Sequence, residues 1–173
     1  MIKQSIKRNT RKVNLRYLPN KLTKKDKLLQ SKMLMKSRKL YKRGKYFTRN
    51  PVSSYKSKTS KHIVNAKKLY KVDHIGPTNE LSKATGCSKN SLSQIIRKGE
   101  GAYYSSGSRP NQTGQSWGIA RLASAITSGK AAAVDYGILE KGCKPNSKAL
   151  QLAKKAKRKY GHGTRRVPKV KLL

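Results

Sequence analysis

Apolar residues fall along this chain in short helical phrases, most closed by a glycine and divided by polar or basic stretches. The first phrase follows Pro19. Thr23 and Asp26 make a T-x-x-D capping pattern, Leu29, Met33 and Leu40 fall near one face with Leu28 and Met35 beside it, and Gly44 supplies a stop. Lysines cover the rest, so this helix can pack on something but has too little apolar surface to stand alone. Residues 1–19 ahead of it read as a disordered basic arm. Residues 45–60 read as an extended basic segment with Tyr46, Phe47 and Tyr55 spaced among lysines, an interleaving that can stack on bases or plug apolar pockets on another protein. Ser60 then caps a short helix through Tyr70, with Ile63, Ala66 and Tyr70 on one face.

The sharpest local pattern is 78–99, TNELSKATGCSKNSLSQIIRKG. It predicts a helix over 79–85 stopped by Gly86, then a second, capped by Ser88, over 89–98 and stopped by Gly99. Leu81, Ala84, Leu92, Ile95 and Ile96 are the inward positions. The phrase resembles the helix-turn-helix of bacterial repressors, with glycine in the turn and a capping serine on the second helix. Its outer face would present Lys89, Asn90, Ser93, Gln94 and Arg97, residue types able to read base edges. The bland alternative is a helical hairpin whose polar face is only solvated.

Residues 99–116 read as a structural loop rich in Gly, Ser and Pro, with room for a short hairpin around 102–106. Trp117 opens a helix over 116–128, with Arg121 four residues on and able to stack on it. A helix over 130–141 follows. Asp135 in it is expected to pair with Arg109 or Arg121. Asn146 or Ser147 caps a last helix through Tyr160, and a basic tail, mobile in isolation, follows.

Charge sharpens this picture. Residues 1–72 hold 24 Lys/Arg against Asp26 alone, 73–143 hold 8 against five acids, and 144–173 hold 11 against none, for a formal net charge of +37. A nearly neutral centre thus sits between two basic arms, the pattern of a protein that grips a polyanion or an acidic surface. The organisation that follows is an N-terminal basic arm with one or two helices (1–72), a compact helical core (73–143), and a basic C-terminal helix and tail (144–173). With hydrophobic content of 35%, the core is small. The arms bury too little apolar area to offset ordering entropy by themselves. The fold class expected is all-α: a small helical core containing the helix-turn-helix-like pair, flanked by extended basic arms.

Candidate chemistry is sparse. Cys87 and Cys143 form no CxxC, and His62, His74 and His162 lie far from both in sequence, so a zinc site is not expected. Two reduced thiols are the expectation, a disulfide the alternative. Gly99-Glu100-Gly101 does not follow a strand, Walker spacing fails around Gly129-Lys130, and SSGSRP is no nucleophile elbow. No catalytic residue, metal or cofactor is assigned, and no enzyme is expected. No apolar stretch approaches a membrane span, and the N-terminus lacks an apolar signal core.

Several stretches, above all GEGAYYSSGSRPNQTGQSWGIARLASA from Gly99 to Ala125, resemble a basic domain of unknown function in large double-stranded DNA viruses of algae and protists. The similarity covers roughly 36–143. The resemblance implies a virus origin and a small basic protein, but no activity. Extended to function, it suggests a non-enzymatic virion protein: a minor capsid (cement or scaffold) protein. Its arms would meet the major capsid protein, other minor capsid proteins or the headgroups of an inner viral membrane, with Tyr46, Phe47, Tyr55, Arg109, Trp117 and Arg121 in protein contacts. Its place would be the virion, and the host cytoplasm or nucleus during assembly. The alternative is a nucleic-acid-binding protein that condenses the viral genome or binds double-stranded DNA through the helix-turn-helix-like unit.

Overall fold

The computed structural model describes residues 11–161 and 167–173. The expected mobility of residues 1–10 and 162–166 lies outside the described residues. The all-α expectation holds: eight α-helices carry the described chain, joined by one two-stranded sheet. Strand β1 (Lys12–Asn14) leads into a 3-10 turn (Leu15–Tyr17) and helix α1 (Lys24–Tyr41). After an irregular stretch come α2 (Lys61–Tyr70), α3 (Asn79–Thr85), α4 (Lys89–Ser105) and α5 (Gly114–Ala125). The short α6 (Lys130–Val134) and α7 (Tyr136–Gly142), then α8 (Lys148–Tyr160) and β2 (Lys169–Lys171), complete the chain. Among the described residues no helix is long and apolar enough to cross a membrane.

Serine and threonine start most of these helices. Thr23, Ser60, Ser88 and Ser147 each accept a hydrogen bond from a backbone N–H of the first turn, satisfying one of the orphan donors there. The main core is then closed by α2 to α8. Leu81, Leu92, Ile95, Leu122, Ile126 and Leu139 are fully buried in it, and Ala149, Ala153 and Ala156 let α8 lie close. Ala66 and Tyr70 bring α2 into the same core, with the Tyr70 hydroxyl donating to the Ile126 carbonyl at 2.6 Å.

A second core corrects the reading of residues 11–19 as disordered. Val13, Tyr17, Leu18, Leu22, Met33, Leu34, Val52 and Leu172 form a separate buried cluster, with Trp117 of α5 packed against it. The arm does not fold alone. It folds with the C-terminus, because β1 pairs antiparallel with β2, Val13 opposite Val170, and the Leu172 N–H donates to the Arg11 carbonyl. Residues 11–19 and 167–173, read from sequence as disordered or mobile, are therefore ordered by one another.

Four further expectations are corrected. Helix α1 turns a different face inward: Gln30, Ser31, Met33, Leu34 and Ser37 are buried, while Leu28 and Leu29 are exposed. Hydrogen bonds decide this. Gln30 Nε2 donates to the Tyr17 carbonyl and Ser37 Oγ to the Tyr104 carbonyl. Helix α4 does not stop at Gly99 but runs through it to Ser105, which removes the expected loop start and any hairpin at 102–106. Gly99 marks a helix crossing instead: a Cβ there would sit 2.6 Å from Gly118 Cα, and one on Gly118 2.6 Å from the Ile96 carbonyl oxygen. The helix expected over 130–141 is broken at Asp135 into α6 and α7. Ala84, expected inside, is exposed.

Candidate nucleic-acid interface

The α3–α4 pair forms with the turn and caps its sequence predicts, though α4 runs past Gly99 and Ala84 faces out. Thr78 caps α3 by accepting from the Leu81 N–H, and Gly86 takes the left-handed conformation (φ 76°) that a Cβ would disfavour. Ser88 then caps α4 by accepting from the Ser91 N–H. The turn between them is fastened to the end of α7. Ser88 N–H donates to the Gly142 carbonyl and Lys144 N–H to the Gly86 carbonyl, at 2.8 and 2.9 Å. This antiparallel bridge brings Cys87 and Cys143 to a Cα separation of 3.8 Å, and their sulfurs are bonded. The expectation of two reduced thiols is thus corrected: it rested on compartment, which says nothing about two segments placed side by side.

With Leu92 and Ile95 buried, α4 presents a polar outer face. Asn90, Gln94, Arg97 and Lys98 line one shallow groove together with Gly101 and Tyr41 from the end of α1. Lys89 is exposed at the start of the helix. Ser93 turns away with one side of Arg97 toward a smaller groove bounded by Ile75, Pro77, Ile96 and Ile119. The structure therefore brings Asn90, Gln94 and Arg97 together and leaves Lys89 and Ser93 beside them.

Asp135 organises the cations beneath this face. Its carboxylate, buried at 1% exposure, accepts from Arg121 Nε and Nη2 at 2.7 and 2.8 Å and from Lys98 Nζ at 2.8 Å. Of the two partners expected, Arg121 is the one used; Arg109 is exposed beside His62. Desolvation first, then the Arg109 charge, lowers the His62 pKa. Because Arg121 forks onto Asp135, the expected Trp117–Arg121 stack does not form. Trp117 instead meets Tyr17 edge-on at 6.1 Å, with the Arg16 guanidinium 5.5 Å from its ring centre.

The three aromatics of the 45–60 segment part company. Phe47 and Tyr55 pack on the second core under Lys36 and Lys21. Tyr46 is 70% exposed and leans on Tyr41 and Tyr104, ring centres 6.1 and 5.1 Å away. Behind them Tyr104 meets Tyr103 edge-on at 4.9 Å.

Sequence reasoning missed the residue that locks this segment down. Arg49 is buried with no carboxylate partner. Its guanidinium donates to Ser37 Oγ, the Tyr103 carbonyl and Ser108 Oγ, each at 2.9 Å, and lies 3.8 Å from the Tyr103 ring centre. Desolvation lowers its pKa, opposed by the neighbouring tyrosines. Burial raises the Tyr103 pKa, and the Arg49 charge opposes that shift. Asn111 completes the clamp: its side chain accepts from the Val52 N–H and donates to the Val52 and Tyr55 carbonyls, as a neighbouring strand would. The YYSSGSRPN run is thus the receptor for residues 47–55. The only available signal was its density of small hydrogen-bonding residues.

A family of unknown function (DUF5824) matches residues 14–151, a span that takes in α1 and the start of α8 as well as the Gly99–Ala125 block. No curated protein and no solved structure matches the chain.

Proposed function

The chain belongs to the DUF5824 family, and since that membership carries no established activity, we propose from its own residues that it is a non-enzymatic nucleic-acid-binding protein acting within a virus particle. The observation that carries this is where the charges go. Among the described residues Arg49 is the only basic side chain that is buried, whereas two of the six acids, Asp26 and Asp135, are drawn inside. The surface is therefore more basic than the composition alone, as phosphate binding requires. The residues on the outer face of α4 supply hydrogen-bonding groups within that field. The virus setting is supported by the resemblance of the Gly99–Ala125 block to a viral family.

The test is fluorescence anisotropy of a labelled DNA duplex over a salt series. Binding through six or more phosphates predicts a loss of about a thousandfold or more in affinity between 50 and 200 mM salt. Binding indifferent to salt, or no binding of either duplex or single-stranded DNA at the lowest salt, would sink the proposal. Site-selective reading would show as lost selectivity, beyond lost affinity, in Asn90→Ala or Gln94→Ala.

A second reading, the minor capsid protein, draws support from the Arg49–Asn111 clamp, which makes the body a rigid peg with basic faces for acidic capsomer undersides or anionic headgroups. Against it, Phe47 and Tyr55 are occupied at home rather than free for a neighbour's pockets. Disassembling purified particles across a salt series separates the two readings. A capsid protein stays with the shell at high salt; a genome binder follows the core and leaves as salt rises.

A further inference from the structure

Asn90, Gln94 and Arg97 stand exposed on α4 and, with Gly101, line a shallow, open polar groove to which Tyr41 at the end of α1 also belongs. A groove open along its length can take an extended strand.

The chemistry at the Tyr41 end points the same way. Gly44 closes α1, and the turn 42–46 is exposed throughout, with Lys42, Arg43 and Lys45 flanked by Tyr41 and Tyr46. Tyr46 keeps 70% of its surface open, although Tyr104 holds it from one side at 5.1 Å. Tyrosines propped in place among cations, at the mouth of a polar groove, are what unpaired bases stack on; bases inside a duplex cannot reach them.

We infer that this groove and its tyrosines bind single-stranded nucleic acid, with the backbone phosphates on Arg97 and the 42–45 cations and a base stacked on Tyr46. The inference rests on the nucleic-acid reading above and names its substrate form. Both DNA and RNA strands offer the required phosphates and base faces, and Watson–Crick edges freed from pairing would meet Asn90 and Gln94.

The experiment compares binding of the full chain to a labelled single strand of about 20 thymidines, its ribose counterpart and a duplex of equal length, by anisotropy at several salt concentrations. Either single strand is expected to bind more tightly than the duplex. Tyr46→Ala should weaken strand binding by about tenfold while leaving duplex binding unchanged, and Tyr46→Phe should restore it. Arg97→Ala should lower the salt slope by about one. Because Tyr46 is exposed, these variants should unfold at the wild-type temperature, which a melting curve checks. Equal binding of strand and duplex, or a Tyr46→Ala variant that binds the strand as wild type does, would overturn the inference while leaving the general proposal standing. Failure to bind any of the three probes at low salt would end both.

Discussion

Arg49 is a buried cation held by hydroxyls, a carbonyl and a ring. Taking a charge out of water is costly unless its donors are met, and here the fork geometry of the guanidinium meets two serines and a carbonyl at once. Lysine has the charge without the fork, so Arg49→Lys should lose about 2–4 kcal/mol in urea unfolding; full wild-type stability in that variant would show the fork to be dispensable. Asp26 supplies a second test at this scale. Hydrogen bonds from Ser54 hold its carboxyl below the ordinary carboxylate range, so its contribution is complete above about pH 4 and is lost as pH falls further. Melting temperatures followed downward from pH 5 should therefore fall more steeply for wild type than for Asp26→Asn; parallel curves would count against the assignment. The sequence marked Asp26 as a helix-capping residue but not as the anchor of Ser54, and it marked Arg49 not at all. The partners of Arg49 stand 12, 54 and 59 positions away, and no spacing rule spans such distances.

Helix starts were legible because capping is local. Thr23, Ser60, Ser88 and Ser147 hydrogen-bond to backbone two or three residues on, so the pattern and the structure use the same few atoms. Glycines were legible only where they act locally. Gly86 stops α3 as read, whereas Gly99 sits inside α4 because Gly118, on another helix, needs the space. Either job leaves the same letter in the sequence. The face of α1 was misread for a related reason: the hydrogen bonds that pull Gln30 and Ser37 inward run to Tyr17 and Tyr104, which periodicity within the helix does not see. The crossing predicts opposite effects for one chemical change. Gly118→Ala should cost about 2 kcal/mol, since its methyl meets the backbone oxygen of Ile96. Gly137→Ala, in α7 with nothing within 4 Å, should gain about 0.5–1 kcal/mol. Chemical denaturation of the two variants decides it, and similar shifts in both would deny that the α4–α5 contact depends on glycine.

On the scale of the whole molecule, the outline of a neutral centre and two basic arms translated into something more closed. The apolar residues of the N-terminal part were too few for a core, yet they did not need to form one alone. Val170 and Leu172 arrive from the other end of the chain, and Trp117 from α5 seals the cluster to the body. Strand pairing between distant termini is the hardest relation to read from one sequence, because two three-residue strands carry no periodicity of their own. Two apolar clusters, joined by Trp117 and by the hydrogen bonds of Arg49 and Asn111, imply two levels of stability, with the second core opening first. Removing residues 167–173 deletes β2 and Leu172, exposes the edge of β1 and leaves the main cluster untouched. Hydrogen exchange on the shortened chain should then show lost protection in residues 11–22 and along α1, with α4, α5 and α8 protected as before. If protection fell equally everywhere, the two clusters would be one cooperative unit, and the N-terminal part would be a structural requirement of the α4 groove. If it fell only in the first segment, the α4 side of the groove would survive while its Tyr41 side loosened, and strand binding should weaken in a chain whose main core is intact.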